Sequence, residues 1–184
     1  RMTTAWPKGL PGPGVSADRL AARIAALTAG RLVVEVFAAG EIGPAFEALD
    51  LVAGGAAEMA HTAALFWAGK TQAAAIYTAA PFGLTPTEHA AWLAFGGGGE
   101  AWDALYADLN VKPFAAGNTG QSMGGWFREP IESLADLQGL KMRMPGLGGE
   151  MYGALGVQAV SLPPGETLAA LTSGAVDAAE FAGP

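Results

Sequence analysis

Short β-dense segments alternate with helix-length segments along nearly the whole chain, and this rhythm limits what 184 residues can build more than any single motif does. Residues 1–6 read as extended. Residues 7–14 hold three prolines and three glycines, which no regular element tolerates. Ser16 then caps a helix in which Leu20, Ile24 and Leu27 recur at i, i+4 and i+7, with Gly30 as its stop. Residues 32–37, dense in β-branched and aromatic side chains, suit a buried strand of a parallel sheet. Residues 45–52 are helical up to Gly54-Gly55, and residues 56–62 form a short apolar strand. Thr85-Pro86-Thr87-Glu88 is a capping box with proline at the first helical position, opening a helix through Phe95. Residues 96–99, four glycines, are either a tight turn or a mobile joint before a helix over 102–109.

The rhythm restarts after residues 111–117, which read as a crossing between two lobes, residues 1–113 and 114–184. In the second half the expected strands are 123–128, 140–144, 157–162 and 176–181. The expected helices are 133–137, capped by Ser133 and Asp136, then 150–155 and 166–171. Strands and helices alternating at these lengths imply an α/β fold with mostly parallel sheets. An internal echo lays residues 49–62 on residues 168–181, matching Gly55 with Gly174, Glu58 with Asp177 and His61 with Glu180. It is either a true structural repeat or a chance match of alanine- and glycine-rich sequence. In the first case His61 and Glu180 end corresponding strands, where open α/β sheets place their ligands.

The apolar runs, such as residues 73–76 and 90–95, fall far short of the ~20 residues that span a bilayer. No charged n-region with an apolar h-region opens the chain, and Arg1 in place of an initiator methionine favours a leader already removed or a cut chain. A net charge of −7, with ten Lys and Arg in no basic cluster, argues against nucleic acid and anionic lipid as partners. An acidic protein that binds an anion must do so through one local cation and backbone donors. The chain has no cysteine, no phosphate-binding Walker loop and no dinucleotide glycine fingerprint after its first strand. His61 and His89 lack metal-ligand spacing. His89 reads as solvent-facing and His61 as a core or cleft residue, so no enzymatic reaction is expected.

One stretch stands out as a candidate anion site. In residues 140–149 a strand runs into a glycine-rich loop and a helix; Leu140, Met142 and Met144 share one face, which puts Lys141 and Arg143 on the other. Arg143 is thus expected at the strand's end beside a helix N-terminus, able to hold a carboxylate through two parallel hydrogen bonds or, alternatively, to pair with a structural acid such as Glu150. Residues 117–126 are polar and glycine-rich at the expected crossing, where Asn118, Gln121 and Ser122 can donate or accept hydrogen bonds. Glu180, at the end of an apolar strand, needs a partner: a structural arginine, a cation or a ligand group.

Pro81-Phe-Gly-Leu84, Ala116-Gly-Asn-Thr-Gly120 with Met123-Gly-Gly-Trp-Phe127, the block from Leu137 to Gly149, and Leu171-Thr-Ser-Gly-Ala-Val-Asp-Ala-Ala-Glu180 together resemble the DctP-type solute-binding proteins of TRAP transporters. The likeness is greatest to those that bind 2-oxo acids and related monocarboxylates, and it runs in order from Met2 to Pro184. It implies a periplasmic, two-lobed binding protein that closes around a small organic carboxylate and delivers it to the small and large membrane subunits of the transporter. It also implies a homodimer at full length and a family sequence that continues beyond residue 184, leaving the second lobe incomplete here. Arg143 matches the carboxylate-binding arginine, and Asn118 lies in the cleft-lining segment. A sodium or calcium ion is implied between the ligand and Glu180, the backbone of Phe181, and Gln121. Trp6, His61 and Phe181 complete the expected substrate contacts. The chain departs from the family where Gln121 precedes the usual glutamine position, now Ser122, where Phe181 replaces a tryptophan, and where Leu65-Phe66 replaces a tyrosine-bearing pair. The competing reading is the effector-sensing domain of a cytosolic regulator with a similar two-lobed shape.

Overall fold

Extended residues 2–4 form the centre of the first sheet, because Met2, Thr3 and Thr4 are all buried and can be covered on both faces. This strand, β1 (Met2–Thr4), pairs in parallel with β2 (Val36–Phe37) on one side and β3 (Met59–His61) on the other, giving the order β2-β1-β3. The structure is a computed structural model and describes residues 1–183. Between β1 and β2 runs α1 (Pro13–Leu27), and between β2 and β3 a 3-10 turn (Ala45–Glu47) leads into α2 (Ala48–Ala53). The expected cap at Ser16 is not observed. Proline at the first helical position, after Gly12 at a φ of 79°, starts α1 four residues earlier, and the Ser16 N–H donates to the Gly12 carbonyl inside the helix. The buried side of α1 is Gly14, Ala17 and Ala21, while Leu27 is exposed. The expected buried strand over 32–37 shrinks to the two residues of β2. As an edge strand it is covered on one side only, and Leu32 and Val33 lie exposed before it.

Packing divides the chain into residues 1–63 with 95–118, and residues 64–94 with those from 119 onward. This differs from the expected single crossing at 113, since residues 64–94 belong with the second unit. In that unit Leu65 lies so close to Gly146 that a Cβ there would stand 3.2 Å from it. The capping box holds as expected. Thr85 N–H donates to Glu88 at 2.9 Å, Glu88 N–H donates back to the Thr85 hydroxyl at 3.4 Å, and α3 (Pro86–Phe95) follows. The glycine run is a turn: Gly97 sits at a φ of 82° as the cap of α4 (Gly98–Tyr106).

The second sheet has the order β4-β7-β5-β6, built from β4 (Trp126–Phe127), β5 (Lys141–Arg143), β6 (Gln158–Val160) and β7 (Ala178–Ala179). Three of these strands are parallel, and β4 is antiparallel to β7. Leu137, Met142, Met144, Val157 and Ala178 form its core. The Ser133/Asp136 cap is formed, with Ser133 N–H donating to Asp136 at 2.8 Å.

The echo is a structural repeat. Here β1-α1-β2-α2-β3 corresponds to β5, α5 (Leu147–Ala154), β6, α6 (Thr167–Ser173) and β7. Gly55 and Gly174 end the second helix of each at φ 77° and 75°. Ala57 N–H donates to the Leu51 carbonyl as Val176 N–H does to that of Ala170. Met59 opposes Met2 as Ala178 opposes Met142, and Ala60 opposes Thr3 as Ala179 opposes Arg143. Thr3 therefore holds the place of Arg143, and only the second half of the repeat carries a cation there.

Candidate functional site

Strand alternation decides what Arg143 can reach. Met142 and Met144 enter the core of the second sheet, so Arg143 leaves from the opposite face, at the C-terminal end of β5. Its residue surface is only 3% exposed. Nε donates to the carbonyl of Leu162 at 3.2 Å and Nη1 to the carbonyl of Glu180 at 2.6 Å. The Glu180 carboxylate is farther off, with Oε2 3.4 Å from Nη1. The Phe181 ring lies beneath the guanidinium, 5.6 Å from its carbon to the ring centroid. Glu150, the alternative partner, is exposed and makes no ion pair with Arg143 among the described residues. Burial pulls the guanidinium below its usual range while Glu180 pushes it back, and an arginine in this setting remains charged.

Two backbone carbonyls and one distant carboxylate hold Nε and Nη1 and orient the fork. Nη2 donates to no group among the described residues. A buried cation with an unspent donor favours an anion that can complete its shell.

Glu180 follows β7 directly, and its N–H donates to the Arg143 carbonyl at 2.8 Å. Its Oε1 accepts from Ala182 N–H at 3.1 Å, and the side chain is 22% exposed. The segment carrying Gln121 runs alongside: Met123 N–H donates to the Ala182 carbonyl at 3.5 Å, and a Cβ on Gly183 would stand 2.5 Å from the Gln121 carbonyl oxygen. Arg143, Glu180, Phe181 and the backbone of Gln121 thus meet in one neighbourhood of the second unit. The Gln121 side chain is exposed. Among the described residues no cluster of three or more His, Cys, Asp or Glu is formed that could hold a metal by itself. A hard cation here would need neutral oxygens and ligand oxygens beside the single carboxylate of Glu180.

In the first unit His61 ends β3 and Trp6 follows β1. Trp6 Nε1 donates to His61 Nδ1 at 2.8 Å, both residues being buried. Burial lowers the His61 pKa from its ordinary value. Asn118 lies at the boundary of this unit, exposed, in a stretch without regular structure.

The carbonyl of Leu162 was not foreseen, although Pro163-Pro164 was a usable signal, because a residue before proline is held extended at its strand end. Gly120 to Gly124 carries a Gly-x-Ser-x-Gly spacing, against the expectation that the chain has no such elbow. Its Ser122 is exposed in residues 111–123, which form no strand or helix, so the strained strand-to-helix turn of a nucleophile elbow is missing.

Residues 12–184 match the family described as bacterial extracellular solute-binding protein, family 7, DctP. The chain belongs to this family. It is 49% identical to the monocarboxylate 2-oxoacid-binding periplasmic protein of Nostoc sp., over 100% of this chain and 50% of that protein. A crystal structure of a TRAP transporter solute-binding protein from Bordetella bronchiseptica is 41% identical with a TM-score of 0.96, over 100% of this chain and 55% of that one. That structure is a mixed-occupancy dimer with copurified calcium and picolinate in one active site and the other apo. A TRAP periplasmic solute-binding protein from Pseudoalteromonas atlantica, with bound sodium and pyruvate, is 36% identical with a TM-score of 0.95, over 100% of this chain and 56% of that one. The chain therefore spans about half the length of these family 7 relatives. The relatives are solute-binding proteins, which leaves the cytosolic-regulator reading without support. Among the described residues of this family 7 chain, no helix is long and apolar enough to cross a membrane.

Proposed function

We propose that this family 7 chain is the ligand-binding part of a periplasmic receptor that captures a small 2-oxo or 2-hydroxy monocarboxylate for a TRAP transporter and catalyses no reaction. The observation that carries the reading is the buried Arg143, oriented by the Leu162 and Glu180 carbonyls with Nη2 unspent. An anion taken there gains a charge-assisted bond in a site shielded from water, while the chain's net charge of −7 opposes anion binding elsewhere. The two packing units are the proposed halves of the two lobes. Asn118, Gln121, Trp6, His61 and Phe181 are further residues proposed to build the ligand site.

A sodium or calcium ion is proposed between Glu180, the Phe181 carbonyl, Gln121 and the ligand. The chemistry of the donor set fits such an ion, because all these atoms are hard oxygens and one is charged. When bound, the ion neutralises Glu180 and ligand oxygens together. This chain's residues hold the carboxylate, fix its direction and exclude water. Membrane permease subunits and a second copy of the full-length protein are the proposed partners. The bound calcium, sodium, pyruvate and picolinate of the similar structures support the ligand class.

The test is a thermal-shift screen of the full-length protein with pyruvate, lactate, succinate and glucuronate, each with and without sodium or calcium. A ligand that binds only the folded form at 100 times its Kd stabilises by about 2.7 kcal/mol. Pyruvate and lactate should raise Tm by several degrees, more so with the cation. Stabilisation by none of the monocarboxylates contradicts the reading.

A further inference from the structure

We infer that His61 meets the ligand as a fixed hydrogen-bond donor, its Nε2–H giving to a ligand oxygen, and that Trp6 acts as the positioning residue that sets this tautomer without touching the ligand. The inference rests on the receptor reading and refines it. An indole N–H can only donate, so its 2.8 Å bond to Nδ1 requires a lone pair on that nitrogen. A neutral imidazole with Nδ1 as acceptor carries its proton on Nε2. The His61 ring is neutral because burial opposes its charged form, in line with its lowered pKa.

The indole is itself held. The Trp6 carbonyl accepts from Ala39 N–H at 3.0 Å and from the Thr4 hydroxyl at 3.1 Å, and the neighbouring Ala5 N–H donates to the His61 carbonyl at 3.2 Å. Trp6 and His61 therefore face each other through the register of β1 and β3, in which Thr4 opposes His61. Nε2 is buried and has no hydrogen-bond partner among the described residues, and the whole residue is 8% exposed. Leaving a buried N–H unpaired costs free energy that a folded protein ordinarily avoids. It lies at the carboxyl end of parallel strands, where ligands of α/β sheets bind. A ligand oxygen at that place pairs the N–H; an ammonium group, having only donors, cannot. The pair therefore favours oxygen-bearing acids over their amino counterparts.

The test uses the full-length protein and pyruvate with sodium. Nitrogen-15 NMR of the imidazole should show the proton on Nε2 in the free protein, and pyruvate should shift the Nε2 resonance and leave Nδ1 nearly unchanged. Calorimetry on His61→Leu should show a loss of roughly 5- to 100-fold in pyruvate affinity. His61→Gln, whose amide N–H reaches the place of Nε2, should recover most of it. Trp6→Phe should weaken binding by a smaller factor and populate the Nδ1–H tautomer. A wild-type ring protonated on Nδ1, or an Nε2 resonance indifferent to pyruvate while the protein binds it, overturns the inference and leaves the receptor reading standing. Absence of both pyruvate and lactate binding by the wild type overturns both.

Discussion

Replacing Arg143 by alanine should abolish most carboxylate binding, and the size of the loss follows from what surrounds the guanidinium. The side chain is nearly inaccessible, its Nε and Nη1 are committed to the carbonyls of Leu162 and Glu180, and Nη2 is the donor left for an anion. Removing one partner of a buried charged pair costs about 3–5 kcal/mol, which is roughly two to four decades in affinity. Arg143→Lys separates charge from geometry. A lysine keeps the cation but cannot hold Leu162, Glu180 and a ligand with one planar fork, so a loss of about 10- to 100-fold is expected. Calorimetric titration of the full-length variants with pyruvate reads both, with near-ultraviolet circular dichroism to show that each is folded. Affinity for pyruvate within a factor of two of wild type in a folded Arg143→Ala protein refutes the argument that this guanidinium recognises the anion.

Other consequences can be measured separately. Glu180→Gln should make pyruvate affinity nearly indifferent to sodium and calcium, whereas wild-type affinity should fall about tenfold, or 1.4 kcal/mol, on removing them; equal cation dependence in both proteins contradicts the proposed ion site. His61 has a folded pKa lowered from 6.5 by burial, so the unfolded chain binds more protons there. Its contribution to stability is complete above 6.5 and is lost as pH falls through the lowered value. Urea midpoints measured from pH 8 to pH 5 should therefore drop more in wild type than in His61→Gln, and parallel curves contradict this. At Gly149 an added Cβ would overlap the Met144 carbonyl oxygen, so Gly149→Ala must push α5 off the end of β5. Overpacking of this kind costs about 1–3 kcal/mol, readable as a lower urea midpoint; an unchanged midpoint shows that the helix yields freely.

The parts of the fold legible in the sequence were those written in local chemistry. The Thr85–Glu88 and Ser133–Asp136 boxes specify their own hydrogen bonds, and Gly55 and Gly174 announce helix ends that require positive φ. Period-two alternation placed Arg143 opposite Met142 and Met144 without knowledge of what lay beyond. Residues 32–37 misled because β-branched density reports strand propensity and not whether a neighbour covers both faces; β2 is an edge strand. The helix start misled because Gly12-Pro13 competes with Ser16 as an initiator. The packing of residues 64–94 with the second unit, in which Leu65 lies against Gly146, joins residues distant in sequence that no periodicity connects. The resemblance marked Arg143 and Glu180 as members of one site. It could not say that the bond joining them runs to the Glu180 carbonyl at 2.6 Å while the carboxylate stands 3.4 Å away.

A crystal structure of the full-length protein grown with pyruvate and sodium addresses the central claim most directly. The account predicts a ligand carboxylate oxygen about 2.8 Å from Arg143 Nη2, with the Leu162 and Glu180 carbonyl bonds retained. Pyruvate bound elsewhere, with Nη2 turned onto a protein carbonyl or the Glu180 carboxylate, contradicts it.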